Sequence, residues 1–407
     1  MACVDPIAGR GMRGCRSLCF IFICAFALVA LVRQILHAKN HIKIGQQFRR
    51  LHGHEAGNWS GLNLPNNSLL TPARYGRRRS LESSHGIFEF NSTSCQMLRK
   101  ELLDMKVLTM VNSSELFDRW RNMQVCKWEQ NKEEINDFTM SVSQHCNASS
   151  FLFTTKRNTP SGTKLRYEVG GTLNINPEIF DMFPDDMAYS RSEFKRCAVI
   201  GNGGISINSK CGKEIDSADF VFRCNIPPVS HKYSADVGSK TDFVTINPSI
   251  IRQRFQKLEK WRRPFYEVLQ PYKNASIVLP AFYQGADTGL SFRAKYTLDD
   301  FRSPGNVFFF HPQYLLNVAR FWKQQGVRAR RLSTGLMLVT IAMELCEEVH
   351  LYGFWSFPTN PEGASITHHY YDDVKAKPGV HAMSDELLHF LHMHARGILH
   401  LHTQPCS

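Results

Sequence analysis

CAVIGNGGISINSKCGKEIDSADFVFRCN, residues 197–225, holds the pattern that decides the fold. Cys197–Ile200 is a short, uninterrupted apolar run, as expected of a strand buried on both faces. It empties into Gly201-Asn202-Gly203-Gly204, which reads equally as a plain tight turn or as a nucleotide site where missing Cβ atoms let backbone approach a phosphate or ribose closely. A polar stretch then yields to a second apolar run at 218–225. The rhythm continues outward with apolar runs at 242–247, ended by Pro248, and at 275–282 and 306–312. Residues 333–348 read as an apolar helix capped by Ser333 or Thr334, feeding a last clear strand at 349–355. There is no internal repeat. The expected fold is α/β, with a mostly parallel central sheet flanked by helices and ligands at the carboxyl ends of its strands.

Upstream, residues 95–146 carry helix-like spacings, whereas 37–90 are rich in Gly, Asn, Ser, His and Arg and show no sustained apolar period. Leu18–Val32 is uncharged and apolar. With its flanks, 17–36, it matches the roughly 20 residues that span a bilayer. Arg33 follows at once without a small-residue cleavage site, which favours an uncleaved signal-anchor. The organisation expected is a cytoplasmic tail (1–16), a transmembrane helix (17–36), a luminal stem (37–90) and a catalytic domain (91–407). Positive charges flank both ends of the span, so charge alone does not orient it. Six N-x-[ST] sequons, at Asn58, Asn66, Asn91, Asn112, Asn147 and Asn274, all lie downstream and put that side in the lumen.

The chain has 407 residues and a formal net charge of +13, with 43% hydrophobic and 21% charged residues. The composition excludes a wholly disordered chain. The basic excess is concentrated before residue 80, and the remainder is nearly neutral, so no nucleic-acid partner is expected. Of 12 cysteines, Cys3, Cys15, Cys19 and Cys24 lie in or before the span. The other eight form no CxxC pair, which disfavours a zinc ribbon and favours disulfides in an oxidising lumen.

Three further clusters can carry chemistry. Ser333-Thr334-Gly335 opens the apolar helix, either as a plain cap or as an anion site made of free N–H groups. His368-His369-Tyr370-Tyr371-Asp372, then His381, supply imidazoles suited to proton transfer. His389, His392 and His394 fall on a terminal helix and read as a solvated face rather than a metal site. Asp-x-Asp is absent, so the carboxylate pair that holds a metal-bound nucleotide diphosphate is missing. The GNGG turn lacks full G-x-G-x-x-G spacing, and Asn225 stands where a dinucleotide site would have its acidic residue, which argues against an oxidoreductase.

Together these segments resemble the four sialylmotifs of animal sialyltransferases. Residues 197–249 are similar to the large motif, 331–355 to the small one, 368–372 to the third, and His381 through Glu386 to the very small one. The wording is that of the alpha-2,8 branch, and 151–169 and 257–270 resemble its type V, ganglioside-directed members. The resemblance implies a modified Rossmann-like, GT-A-like domain in the Golgi membrane, anchored as a single-pass type II protein. It implies an inverting transfer from CMP-sialic acid to the 8-hydroxyl of a terminal sialic acid on a glycolipid, with sialylated glycoproteins or inactive glycan binding as alternatives. CMP-sialic acid is a donor substrate; no cofactor or metal is expected. His381 would be the general base and His369 would assist the departing CMP. Asn202, Asn225, Ser333, Thr334, Gly335, Trp355 and His368 would bind substrate. Bridges Cys197–Cys346 and Cys211–Cys406 are implied, with Cys224 free. Cys95, Cys126 and Cys146 then form an odd set, which leaves an intermolecular bridge and a homodimer open. Ser206, Ser356 and Ser384 depart from the family's usual residues.

Overall fold

The computed structural model describes residues 89 and 91–406, apart from 109–112, 304 and 375–379. The tail, the transmembrane helix and the stem expected over 1–90, Asn58 and Asn66 included, lie outside the described residues (Glu89 aside), as does Asn112. No described helix is long and apolar enough to cross a membrane. The chain divides into Met1–Leu81 and Glu82–Ser407, and every element below belongs to the second unit.

That unit is built on seven strands: β3 (Phe194–Ile200), β4 (Phe220–Arg223), β5 (Phe243–Thr245), β6 (Ser276–Leu279), β7 (Val307–Phe309), β8 (Cys346–Tyr352) and β9 (His400–His402). They lie in the order β7-β6-β5-β4-β3-β8-β9, and every pairing is parallel. A small antiparallel hairpin, β1 (Lys164–Arg166) with β2 (Thr172–Asn174), stands apart from the sheet. Alternate residues bury on opposite faces, which is why the strand sequences are apolar throughout rather than alternating. Cys197, Val199, Phe222, Val349 and Leu351 face one core with helices Lys132–Cys146, Pro312–Gln324 and Thr334–Leu345 nearby. Val244, Ile277, Leu279 and Phe309 face another.

The expected strands fall within a few residues of the observed ones, with one instructive shift. The helix expected to reach Glu348 stops at Leu345, and Cys346 is already extended. Cys346 is disulfide-bonded to Cys197 and pairs with Phe194, so tertiary attachment overrides the helical run. A second correction concerns helix Met383–Ala395. Its expected solvated histidine face packs inward: His394 is 3% exposed, its ring 4.9 Å from Trp120, and His389 meets Trp322 at 5.3 Å. Burial accordingly holds the His394 imidazole down at about 3.

Candidate active site

The chain starts its sheet in β3, lays β4 to β7 on one side, then returns to place β8 and β9 on the other. The carboxyl ends of β3 and β8 therefore flank the topological switch point, where open α/β sheets bind ligands. Gly201 donates its N–H to the Tyr352 carbonyl (2.7 Å), and Gly203 to that of Gly353 (3.0 Å). A Cβ at Gly201 or Gly203 would lie 2.5 or 2.6 Å from the Gly353 oxygen, and one at Gly204 2.2 Å from that of Thr367. The glycines thus serve loop-on-loop packing: the space expected for a ligand at these Cβ positions is filled by neighbouring backbone.

Polar groups converge above this packing. Asn202 donates Nδ2 to the Cys224 carbonyl (3.0 Å), while its buried Oδ1 has no partner. Asn225 adopts a left-handed backbone (φ 64°), and its Oδ1 accepts the Asn247 N–H at 3.2 Å. Asn247 in turn donates Nδ2 to Thr334 Oγ1 (3.2 Å), bringing the end of β5 to the helix terminus.

Helix Thr334–Leu345 runs straight into β8, so it lies antiparallel to the sheet and its N-terminus returns to the carboxyl ends. Ser333 caps it, its side chain accepting the Leu336 N–H at 3.0 Å. The Ser333 N–H is itself donated to Glu386 Oε1 (2.9 Å), leaving the N–H groups of Thr334 and Gly335 at the open end. Glu386 is 2% exposed, and burial pushes its carboxyl up to about 7. Two residues before the cap, the Arg331 carbonyl accepts a hydrogen bond from His381 Nδ1 at 2.8 Å. A carbonyl can only accept, so Nδ1 carries a proton, and in the neutral imidazole Nε2 is the nitrogen with the lone pair.

The 368–372 segment closes over the glycine turn. Tyr370 donates its N–H to the Asn202 carbonyl (2.9 Å), and His369 bridges Gly203. His369 Nδ1 meets Asp372 Oδ1 at 2.7 Å and its ring stacks on Tyr371 at 5.1 Å. Partial burial pushes the Asp372 carboxyl up, but the His369 bond, the Val374 N–H and the field of the two neighbouring histidines together outweigh it and leave the group below its usual value. His368 stands beside His369 (ring centroids 4.5 Å apart). Trp355 is 8% exposed, its indole N–H donated to the Thr359 carbonyl (2.7 Å) and its ring against Phe117 and Phe357. It braces the loop after β8 from within the core.

Sequence reasoning missed a neighbouring group. The Arg331 guanidinium lies over the Tyr283 ring at 4.1 Å, and Glu168 and Val169 donate their N–H groups to Phe282 and Tyr283. Burial pushes the Glu168 carboxyl up to about 7, against the pull of Arg331, and its Oε1 has no hydrogen-bond partner. Glu168 also lines a cleft of about 230 Å³ with Arg166, His311 and Gln313. A larger cleft, about 370 Å³, is lined by Met140, Asn147, Arg191 and Glu344. It lies at the amino ends of the strands, remote from these groups. Nothing in the motif pattern marked Glu168, because it reaches the site from the hairpin.

Among the described residues, bridges join Cys197 to Cys346, Cys211 to Cys406 and Cys95 to Cys126. Cys146 and Cys224 are free and buried, and burial pushes the Cys224 thiol up to about 12. The odd set of three is thereby resolved within the chain: Cys146, fully buried, offers no sulfur to a second copy. Asn91 and Asn274 are exposed and Asn147 half-buried, capping the helix Ala148–Phe151.

A profile of glycosyltransferase family 29, the sialyltransferases, matches residues 142–398. The chain belongs to this family. Within family 29, the human alpha-2,8-sialyltransferase 8E is 58% identical over 409 residues, covering all of both chains. The mouse alpha-2,8-sialyltransferase 8F is 45% identical over 288 residues, 70% of this chain and 72% of that one. A crystal structure of a mammalian sialyltransferase aligns over 72% of this chain and 86% of that one, with 24% identity and a TM-score of 0.38. The matched residues include the segments assembled at the switch point: β3 to β5, helix Thr334–Leu345 with β8, and residues 368–372 and 381–386.

Proposed function

We propose that the chain transfers sialic acid from CMP-sialic acid to the 8-hydroxyl of a terminal sialic acid on gangliosides, with inversion, making di- and oligosialylated glycolipids. The observation that carries the chemistry is the His381 Nδ1–H bond to the Arg331 carbonyl. It fixes the tautomer that can take a proton at Nε2, next to a helix N-terminus suited to a phosphate. His381 removes the proton from the acceptor hydroxyl as that oxygen attacks the anomeric carbon. The bond to CMP breaks on the opposite side, and the phosphate takes the electron pair. His369, backed by Asp372, and the N–H groups of Thr334 and Gly335 stabilise the leaving phosphate. Asn202 Oδ1 and the Asn225 amide hold the nucleotide sugar. A single phosphate leaves with modest charge, so these donors suffice without a metal or cofactor.

The apolar run 17–36 anchors the chain in the Golgi membrane as a single-pass type II protein, with the GT-A-like domain luminal behind a 37–90 stem. The sequons support this orientation, Asn91, Asn147 and Asn274 being at least partly accessible. Product analysis by mass spectrometry tests the proposal, using CMP-sialic acid with a panel of gangliosides and sialylated glycoproteins. Disialylated glycolipid with an alpha-2,8 linkage is expected. Transfer only to glycoprotein would move the acceptor assignment, and no transfer to any sialylated acceptor would overturn the reading.

A further inference from the structure

The β8–β9 edge of the sheet carries a cluster that the reaction does not use. These strands pair with His350 opposite His400 and Tyr352 opposite His402. Residues two apart on a strand share a face, so His400 and His402 project together and His350 joins them as cross-strand neighbour. Ring centroids are 5.3 Å apart for His350 and His400, 5.1 Å for His350 and His402, and 3.9 Å for His400 and His402. One ring nitrogen of each lies within 4.8 Å of the others. His350 Nδ1 is 2.8 Å from His402 Nε2, and its other nitrogen is bonded to the Glu348 carboxylate. Trp128 lies flat on His400 at 4.6 Å and closes one side.

We propose that His350, His400 and His402 bind one zinc-class divalent cation, at a site separate from the reaction centre. Three imidazoles on one strand face supply the ligand type that zinc, copper and nickel prefer. Small ring rotations would bring three nitrogens to the roughly 2.0–2.1 Å that zinc requires. Glu348 occupies the outer nitrogen of His350 and so aims Nδ1 inward, the carboxylate–histidine arrangement that orients metal ligands. Glu214, 3.8 Å from His402 Nε2, or a water completes the fourth position. Cys406 adjoins the group but is bonded to Cys211 and offers no thiolate. Charge permits a cation: carboxylates Glu214 and Glu348 outnumber the one nearby guanidinium, Arg196, which is paired with Glu214 at 3.0 Å. Magnesium and calcium, which want oxygen ligands, are excluded by the donor set. The ion would staple β9, an edge strand, to β8, whose next residue is Gly353 of the catalytic crevice.

The test uses the full chain in detergent, without a histidine tag and stripped with chelator. ZnCl2 and, separately, MgCl2 are titrated by calorimetry, with zinc content measured by mass spectrometry after dialysis. One zinc per chain, no magnesium binding and a raised melting temperature are expected. His400→Ala and His402→Gln should each weaken zinc at least tenfold, and Glu348→Gln about 10–100-fold. His231→Ala, outside the cluster, should change nothing. Folding of each variant is checked by circular dichroism and donor binding. Absence of zinc binding by the wild-type chain overturns the site, whatever the variants do. So does zinc binding that His400→Ala and His402→Gln leave unchanged.

Discussion

Glu386→Gln isolates the electrostatics of the helix terminus. The carboxyl is 2% exposed, and burial lifts it from 4.5 to about 7 while it accepts the Ser333 N–H. Between those pH values the folded chain keeps a proton that the unfolded chain releases. The folded state therefore binds more protons there, and stability falls as pH rises through the window. At 1.36 kcal/mol per pH unit, the effect reaches about 3 kcal/mol. Glutamine keeps an oxygen to accept the Ser333 N–H but cannot ionise. Urea denaturation of both proteins at pH 4.5, 6 and 7.5 should show the variant gaining on the wild type by about 3 kcal/mol across the range. Glu168 and Glu344, also lifted to about 7 by burial, give both proteins a common residual slope. Wild-type and variant curves that stay parallel from pH 4.5 to 7.5 would refute the buried, proton-retaining Glu386. Glu386→Ala, which also cannot ionise but strips the Ser333 N–H of its partner, should run about 1–3 kcal/mol below the glutamine variant at every pH and weaken donor binding.

The Cys197–Cys346 bridge closes a separation of 149 residues, worth about 5 kcal/mol in the chain-entropy model, so Cys346→Ser should cause retention in the endoplasmic reticulum and loss of activity. Cys224→Ser should be mild, and non-reducing peptide mapping should find Cys95–Cys126 beside the other two bridges. Gly203→Ala forces a Cβ to 2.6 Å from the Gly353 oxygen and should cut activity through a shifted turn, seen as weaker CMP binding by calorimetry. Transfer activity should survive EDTA. A strict need for added Mn²⁺ or Mg²⁺ would show that the leaving group is stabilised by something other than these N–H groups and His369.

The strands that frame the crevice were legible because each is apolar on both faces and ends in a turn signal. What the long first motif does was less so. Arg223 is fully buried and binds the Lys240 carbonyl and Thr241 hydroxyl, and Asp236 accepts the N–H groups of Asn208 and Lys210. Much of the motif holds its own turns together, a role that residue type alone does not disclose. Trp355, expected at the ligand, spends its N–H on Thr359 because the loop after β8 folds back on itself. β9 escaped notice because three histidine-flanked residues carry no apolar run, and Glu168 because it arrives from a hairpin far from every motif.

The central claim is that His381 takes the acceptor's proton. The decisive measurement compares His381→Ala with the wild type for turnover and for CMP affinity, in protein shown to be folded. A base acts in the transition state, so kcat should fall about 10²–10⁴-fold while CMP binding stays within a few-fold of wild type. Wild-type-like turnover in the folded variant would contradict the account.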